Sequence, residues 1–279
     1  MSAFKQFTPV ELIGLFFTYS KLSAKVTLEY KLDKILMTFG IFCREMISII
    51  IMYLILVRFV RIKGWEMNEM FFLYSFLFLS YSVFVFFFTG IRDFDNMIYN
   101  GTLDRFYLRP VGVMFQVIAS RVDYAATIGH GTVGVILLLQ TANSVGINWT
   151  VSNVLYYLLA VSGGAVIQAS LFLISSCFSF WAIRTTNIRN MLFFNARRFA
   201  GYPISFYPIL IQKLLIYILP FAFVNYFPAL YFLGKSEMIS FWKGYFYLTP
   251  VVGIVMFVLV SRFWKLGLRA YSSSGVSIQ

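Results

Sequence analysis

The chain has 279 residues, 60% of them hydrophobic and 12% charged, with 33 Phe and 18 Tyr. A soluble domain is about 45–50% apolar and about 25% charged, so these numbers exclude disorder and make a bilayer the natural solvent. The net charge of +12 would point to nucleic acid in a soluble protein; in a membrane chain it is expected to collect on one side as Lys and Arg.

A span needs roughly 20 mostly apolar residues, so the length leaves no room for a separate soluble catalytic domain. The N-terminus lacks the signal-peptide order of basic region, apolar region and small-residue cleavage site. Lys21, Lys25, Glu29 and Asp33 are spaced by four, with Leu28, Leu32 and Leu36 alongside. Residues 1–38 therefore predict an amphipathic helix on the membrane surface, or a plain anchor for the first span.

Charge-poor windows then give six spans. The first is Ile41–Val60, with Arg44 and Glu45 near one end, and the second is Met70–Ile91. The uncharged tract Tyr124–Ile183 holds spans three and four, with the polar stretch Thr141–Thr150 as the turn. Span five is Leu214–Phe232, with Pro220 expected to kink it and Pro228 to mark a break or re-entrant segment over 225–243. Span six is Tyr245–Ser261. With an inner N-terminus, segments 1–44, 92–121, 184–213 and 262–279 carry 18 Lys/Arg against 5 outside. That asymmetry predicts both termini in the cytoplasm and replaces nucleic-acid binding as the reason for the basic pI.

Little in the chain suggests chemistry. His130 is the single histidine, with no carboxylate partner in sequence. Arg44 and Glu45 are adjacent, so each is expected to snorkel or to pair with another span. Gln140, Asn143, Gln168 and Asn225 line a path or bond between helices. Cys43 and Cys177 lie in apolar stretches and read as core residues. No metal site and no HExxH or GxSxG motif is expected. Gly234-Lys235-Ser236 imitates the end of a phosphate-binding loop, but Ala229 replaces the first glycine and bulky residues fill the turn. The chain is expected to bind no cofactor.

Three segments are specific. After span two, residues 92–116 alternate in charge sign, Gly101 breaks the chain, and Thr102 is placed to cap a helix from Leu103 to Leu108 before Pro110. Such a helix suits docking against a soluble partner; a solvated connector is the alternative. The second segment is Tyr202-Pro…Pro220-Phe-Ala-Phe…Pro228-Ala, and the third is Trp264-x-x-Gly-Leu-Arg-x-Tyr-Ser-x-x-Gly275.

In this order around six spans, the three resemble the permease subunits of type-2 ABC exporters, in particular a bacterial branch with a separate ATPase chain and often two dissimilar permeases. The resemblance implies an all-α integral membrane fold of one domain over residues 1–279. It also implies that the chain is not itself an enzyme and sits in the plasma membrane. Two ATPase subunits carrying ATP and Mg would sit beneath it, and a second permease, paralogue or copy, would complete the pathway. The coupling helix maps onto Asp95, Gly101, Leu103, Asp104, Arg105, Phe106, Leu108, Arg109 and Pro110. Outer-gate positions map onto Pro220, Asn225 and Pro228, and tail contacts onto Trp264, Arg269 and Tyr271. An ion-coupled carrier is the rival reading and predicts ionisable groups at mid-depth and broken helices. A membrane transferase would need a paired acid/base or metal constellation.

Overall fold

The computed structural model describes residues 7–58, 62–181, 185–235 and 243–271. The expected span ends at Val60 and Ile183, residues 236–242 of the outer segment, and Ser272–Gly275 of the tail lie outside the described residues.

Helix α1 (Pro9–Glu29) starts with a capping box: Glu11 N–H donates to the Thr8 hydroxyl and Thr8 N–H to the Glu11 carboxylate. Tyr30 leaves helical geometry, and α2 (Lys31–Leu56) begins at once. The expected polar stripe is therefore split, with Asp33 on the second helix. It could not be seen because no Gly or Pro marks the break. On α1, Ser20 is buried against Tyr124, while Val10 and Leu28 are exposed.

Five stretches among the described residues are long and apolar enough to cross a membrane: Lys31–Leu56, Met67–Tyr99, Tyr124–Ser144, Val151–Phe180 and Gly244–Ala270. They contain α2, α3 (Met67–Arg92) continuing into α4 (Phe94–Tyr99), α7 (Tyr124–Ser144), α8 (Val151–Cys177) and α13 (Thr249–Ala270). Between α4 and α7 lie α5 (Asp104–Tyr107) and α6 (Val113–Ala119). α13 ends nine residues beyond the expected Ser261, because Arg262 and Lys265 sit on a helix whose charged tips reach away from its apolar stem.

α3 and α8 form the centre. Phe72, Phe76 and Phe84 of α3 and Phe172 of α8 are fully buried. In lipid, apolar contact alone gives little drive for helix association, so close backbones and interhelical hydrogen bonds matter more. Gln168 donates to Ser80 at 2.9 Å, and the Ser75 and Tyr157 hydroxyls meet at 2.9 Å. A Cβ added to Gly253 would stand 2.8 Å from the Gly163 carbonyl, so α13 and α8 touch through their backbones.

The stretch before the expected span five is largely helical. The stretch 186–204 comprises α9 (Thr186–Arg189), a π-helical turn (Asn190–Asn195), α10 (Ala196–Ala200) and the start of a 3₁₀ turn (Ile204–Phe206). At one end Arg189 binds Asp95, just past the C-terminus of α3. At the other, Lys63, just before α3, donates to the Ser205 and Phe206 carbonyls. So 186–204 packs alongside α3 from one end to the other rather than looping away from it. Three arginines hid it, since hydropathy reads charge as exposure.

The expected span five is instead a bent pair, Ile209–Ile218 and Phe221–Leu233, with 76° between its arms. The arms include α11 (Ile209–Lys213) and α12 (Tyr226–Leu233). It begins beside Phe206 and ends at Lys235, which donates to Gly64 and Glu69, so both ends lie near the N-terminus of α3. The bend reaches Phe193 at mid-length, 5.6 Å from Phe221. The pair is a bent hairpin whose two ends lie together. Its break is at Leu219-Pro220; Pro228 sits in the first turn of α12, where a missing N–H costs little.

Candidate functional site

The 92–116 segment is tied down rather than projecting freely. Phe94 is buried between Phe180 and Trp264, with centroids at 5.4 and 5.8 Å. Asp95 is nearly buried and takes two contacts from Arg189 Nη1, at 2.8 and 2.9 Å. Arg189 also donates to the Arg92 carbonyl, while Arg92 binds Asp93 and Asp123 at 3.1 Å each. Buried charges persist only when paired in this way.

Gly101 has φ +66°, which a side chain rarely adopts. The helix after it spans only Asp104–Tyr107, and Thr102 does not cap it: its hydroxyl donates back to the Met97 carbonyl at 3.0 Å. The chain turns too tightly there to continue to Leu108. Leu103 is fully buried, so it is unavailable to a partner. Phe106 packs against the core, and Gln116 donates to the Phe106 and Val111 carbonyls, closing the loop around Pro110. Arg109 reaches Tyr19 on α1 at 3.1 Å. What remains presented is Leu108, 86% exposed, and Arg105, exposed and without a partner among the described residues.

The tail closes on this segment. Trp264 is buried, and Gly267 lies so close to the Phe180 ring that a Cβ would stand 2.1 Å from it. Tyr271 donates to Asp104 at 3.0 Å and stacks on Tyr107 with an interplanar angle of 3°. Burial, then the Asp104 carboxylate, pushes the Tyr271 phenol up to about 12. Arg269 is exposed and has no contact among the described residues. At the hairpin, Asn225 is buried and donates to the Ala200 carbonyl at 2.6 Å, which fixes the hairpin to α10.

A cavity of about 960 Å³ lies between α2, α3, α7 and the stretch 190–201. From Tyr74 to Asp93 it follows α3 for about 28 Å at 1.5 Å per residue. Its walls bring together ionisable groups that are far apart in sequence. Arg44 and Glu45 bond to each other at 2.6 Å, because a guanidinium on a long flexible stem reaches sideways to its neighbour. Glu45 also faces the buried His130, whose Nδ1 lies 3.7 Å away. Arg197 lies over Tyr81 at 4.1 Å and Phe78 at 5.8 Å. Arg189, Gln116 and Arg197 were missed as site residues. Asp95 among apolar neighbours signals that a cation must reach it, but nothing local says which.

The family model for ABC-2 family transporter proteins matches residues 11–275. The chain belongs to that family. No curated protein and no solved structure matches it. This ABC-2 family transporter protein is thus a multi-pass membrane protein and a transport component, and its family implies an ATPase partner in a transporter complex. The pseudo-phosphate loop has a structural use: Gly234 is the left-handed C-cap of α12 at φ +59°, and Lys235 sits 4.8 Å over the Trp65 ring while bonding Glu69.

Proposed function

We propose that this chain is the permease subunit of an ATP-driven exporter in a bacterial plasma membrane. Residues 92–116 form its coupling segment, both termini are cytoplasmic, and α1 lies on the cytoplasmic membrane surface. Two ATPase subunits dock beneath it, and a second permease completes the pathway. ATP and Mg are handled by the partners. The observation that carries the reading is Leu108, 86% exposed beside the exposed Arg105, on a segment that Phe94, Asp95, Leu103 and Phe106 anchor to the rest of the chain. A rigid base with one apolar tip transmits a push from a groove; a mobile loop absorbs it. Moving Arg197, Arg198 and Lys213 from the inner count leaves the Lys/Arg asymmetry with the same sign.

Burying Leu108 in a partner groove is worth about 1.5–3 kcal/mol, or roughly ten- to a hundredfold in affinity. Leu108→Glu and Arg105→Glu should each reduce ATPase co-purification while the melting temperature of the chain stays unchanged. Retained association and coupled hydrolysis in both variants would refute the coupling assignment. For orientation, a cysteine replacing Ser144 should react with an impermeant reagent in intact cells and one replacing Arg105 should not.

The second reading, an ion-coupled carrier, is favoured by the Glu45–His130 approach at 3.7 Å and by the broken hairpin. Transport by purified protein without ATP would select it.

A further inference from the structure

The cavity beside α3 carries cations in excess of its carboxylates. Each of its acidic groups is already answered: Glu45 by Arg44, Asp123 by Arg92, and Asp93 by Arg92 and Arg121. Arg197 and Arg198 line the same space and form no ion pair or hydrogen bond among the described residues. Arg197 is held by ring faces alone, and its buried Nε has no acceptor. A ring covers the flat face of a guanidinium and leaves the in-plane N–H donors pointing outward. His130, 3% exposed, likewise has a buried Nδ1 without a hydrogen-bond partner. Glu45 stands 3.7 Å from that nitrogen, so the Arg197 guanidinium is the group lining the cavity for which the described residues supply no acceptor.

The remaining wall is mixed, with Ser48, Asn190 and Asn195 beside an apolar strip. That strip is formed by Met37 and Ile41 of α2, Leu77 of α3 and Phe194 of the π-helical turn. The other face of α2 is open, with Leu36 and Leu54 exposed, so the cavity borders the lipid side of the molecule. The π-helical turn Asn190–Asn195 supplies the register that brings Arg197 over Tyr81, since a π turn shifts the residues after it around the axis.

We infer that this cavity binds an anionic amphiphile, with a phosphate or carboxylate head on Arg197 and Arg198 and an apolar body along Met37, Ile41 and Leu77. A free anion would leave the apolar strip empty, and a cation would meet two uncompensated arginines. A volume near 960 Å³ suits a small amphiphile, since ligand pockets run about 300–1,000 Å³. Naming this class as the exporter's cargo rests on the permease reading; the binding itself does not.

The test uses the full chain in neutral detergent and isothermal titration with dodecyl phosphate. Dodecyltrimethylammonium and inorganic phosphate are the comparison ligands. The wild type should bind dodecyl phosphate, and Arg197→Gln should weaken it roughly tenfold or more, the loss of a charged hydrogen bond. Arg198→Gln, at an exposed position that cannot compromise folding, should weaken it by severalfold, and Arg197→Lys should retain most of it. Arg262→Gln, exposed on α13 away from the cavity, should bind as the wild type does. Equal affinity in the Arg197→Gln, Arg198→Gln and wild-type chains would overturn the site. Equal binding of the cationic amphiphile would overturn its charge preference, and equal binding of inorganic phosphate would make it a site for free anions. Failure of the ATPase to associate would refute the permease reading and leave the titration result standing.

Discussion

At the C-terminal end of α3, Arg92, Asp93, Asp95, Arg121, Asp123 and Arg189 hold one another in charge-assisted contacts of 2.8–3.1 Å. At its N-terminal end, rings do most of the holding: Trp65 on Tyr226 at 5.9 Å, Phe227 on Tyr245 at 4.9 Å, Tyr156 on Tyr231 at 4.6 Å. The difference is one of redundancy. A guanidinium–carboxylate contact is directional, and removing one member leaves the other charged and buried. A cluster of rings shares its contacts among many neighbours, each worth little alone. The ionic end is thus a plate that a single deletion can break, and the aromatic end a cluster that gives way by degrees.

The comparison is broken most directly at Asp95. Asp95→Ala leaves Arg189 buried without its carboxylate and should cost about 3–5 kcal/mol, read as a large fall in melting temperature in detergent. Combining Asp95→Asn with Arg189→Gln should recover more than half of that loss. A single variant as stable as the wild type would mean that the plate is not held by its charges.

A smaller effect is expected at the aromatic end. Lys235→Met removes the bond to Glu69 and the cation over Trp65, and should cost about 1.5–3 kcal/mol. A loss as large as that of Asp95→Ala would erase the contrast between the two ends.

Tyr271→Phe sharpens it further. One hydrogen bond to Asp104 is lost, worth about 1 kcal/mol, with the stacking on Tyr107 kept. The folded phenol is raised from its ordinary 10 to about 12, so the contact is fully present below pH 10. It is lost as pH rises from 10 through about 12, when the phenolate faces Asp104. The wild type should therefore lose stability over that interval relative to Tyr271→Phe, and parallel pH profiles would count against the contact.

Pro220→Ala should matter least. The helix has already ended at Ile218, Leu219 is non-helical at φ −118°, ψ 74°, and Asn225 pins the return arm. The 76° bend should survive, with a stability change under about 1 kcal/mol from unfolded-chain entropy. A straightened arm, seen as a changed distance between spin labels on Ile209 and Tyr231, would restore proline as the cause.

Much of the architecture was legible. Long apolar windows gave α3, α7 and α8 to within a few residues, and the motif order gave the family. The turn between α7 and α8 was visible because its polar residues have no reason to enter lipid. Site residues were legible as positions but not as roles. Leu103 and Leu108 look alike in sequence, yet one is buried in the core and the other is exposed, because the turn after Gly101 rotates them apart. Asp104 and Arg105 are neighbours of opposite sign; only Asp104 is engaged, by Tyr271 from a helix 167 residues away.

By itself, the sequence determined the solvent, the helical class and the family, because each is written in local composition and in short motifs. Tertiary structure decided which stretch packs along α3, which carboxylate meets which arginine, and where cations are left over. Hydropathy treats Arg197 as a loop residue because a charge in lipid is costly when isolated. Packed against Tyr81 inside a polar cavity it is no longer isolated, and that neighbour comes from more than a hundred residues earlier in the chain.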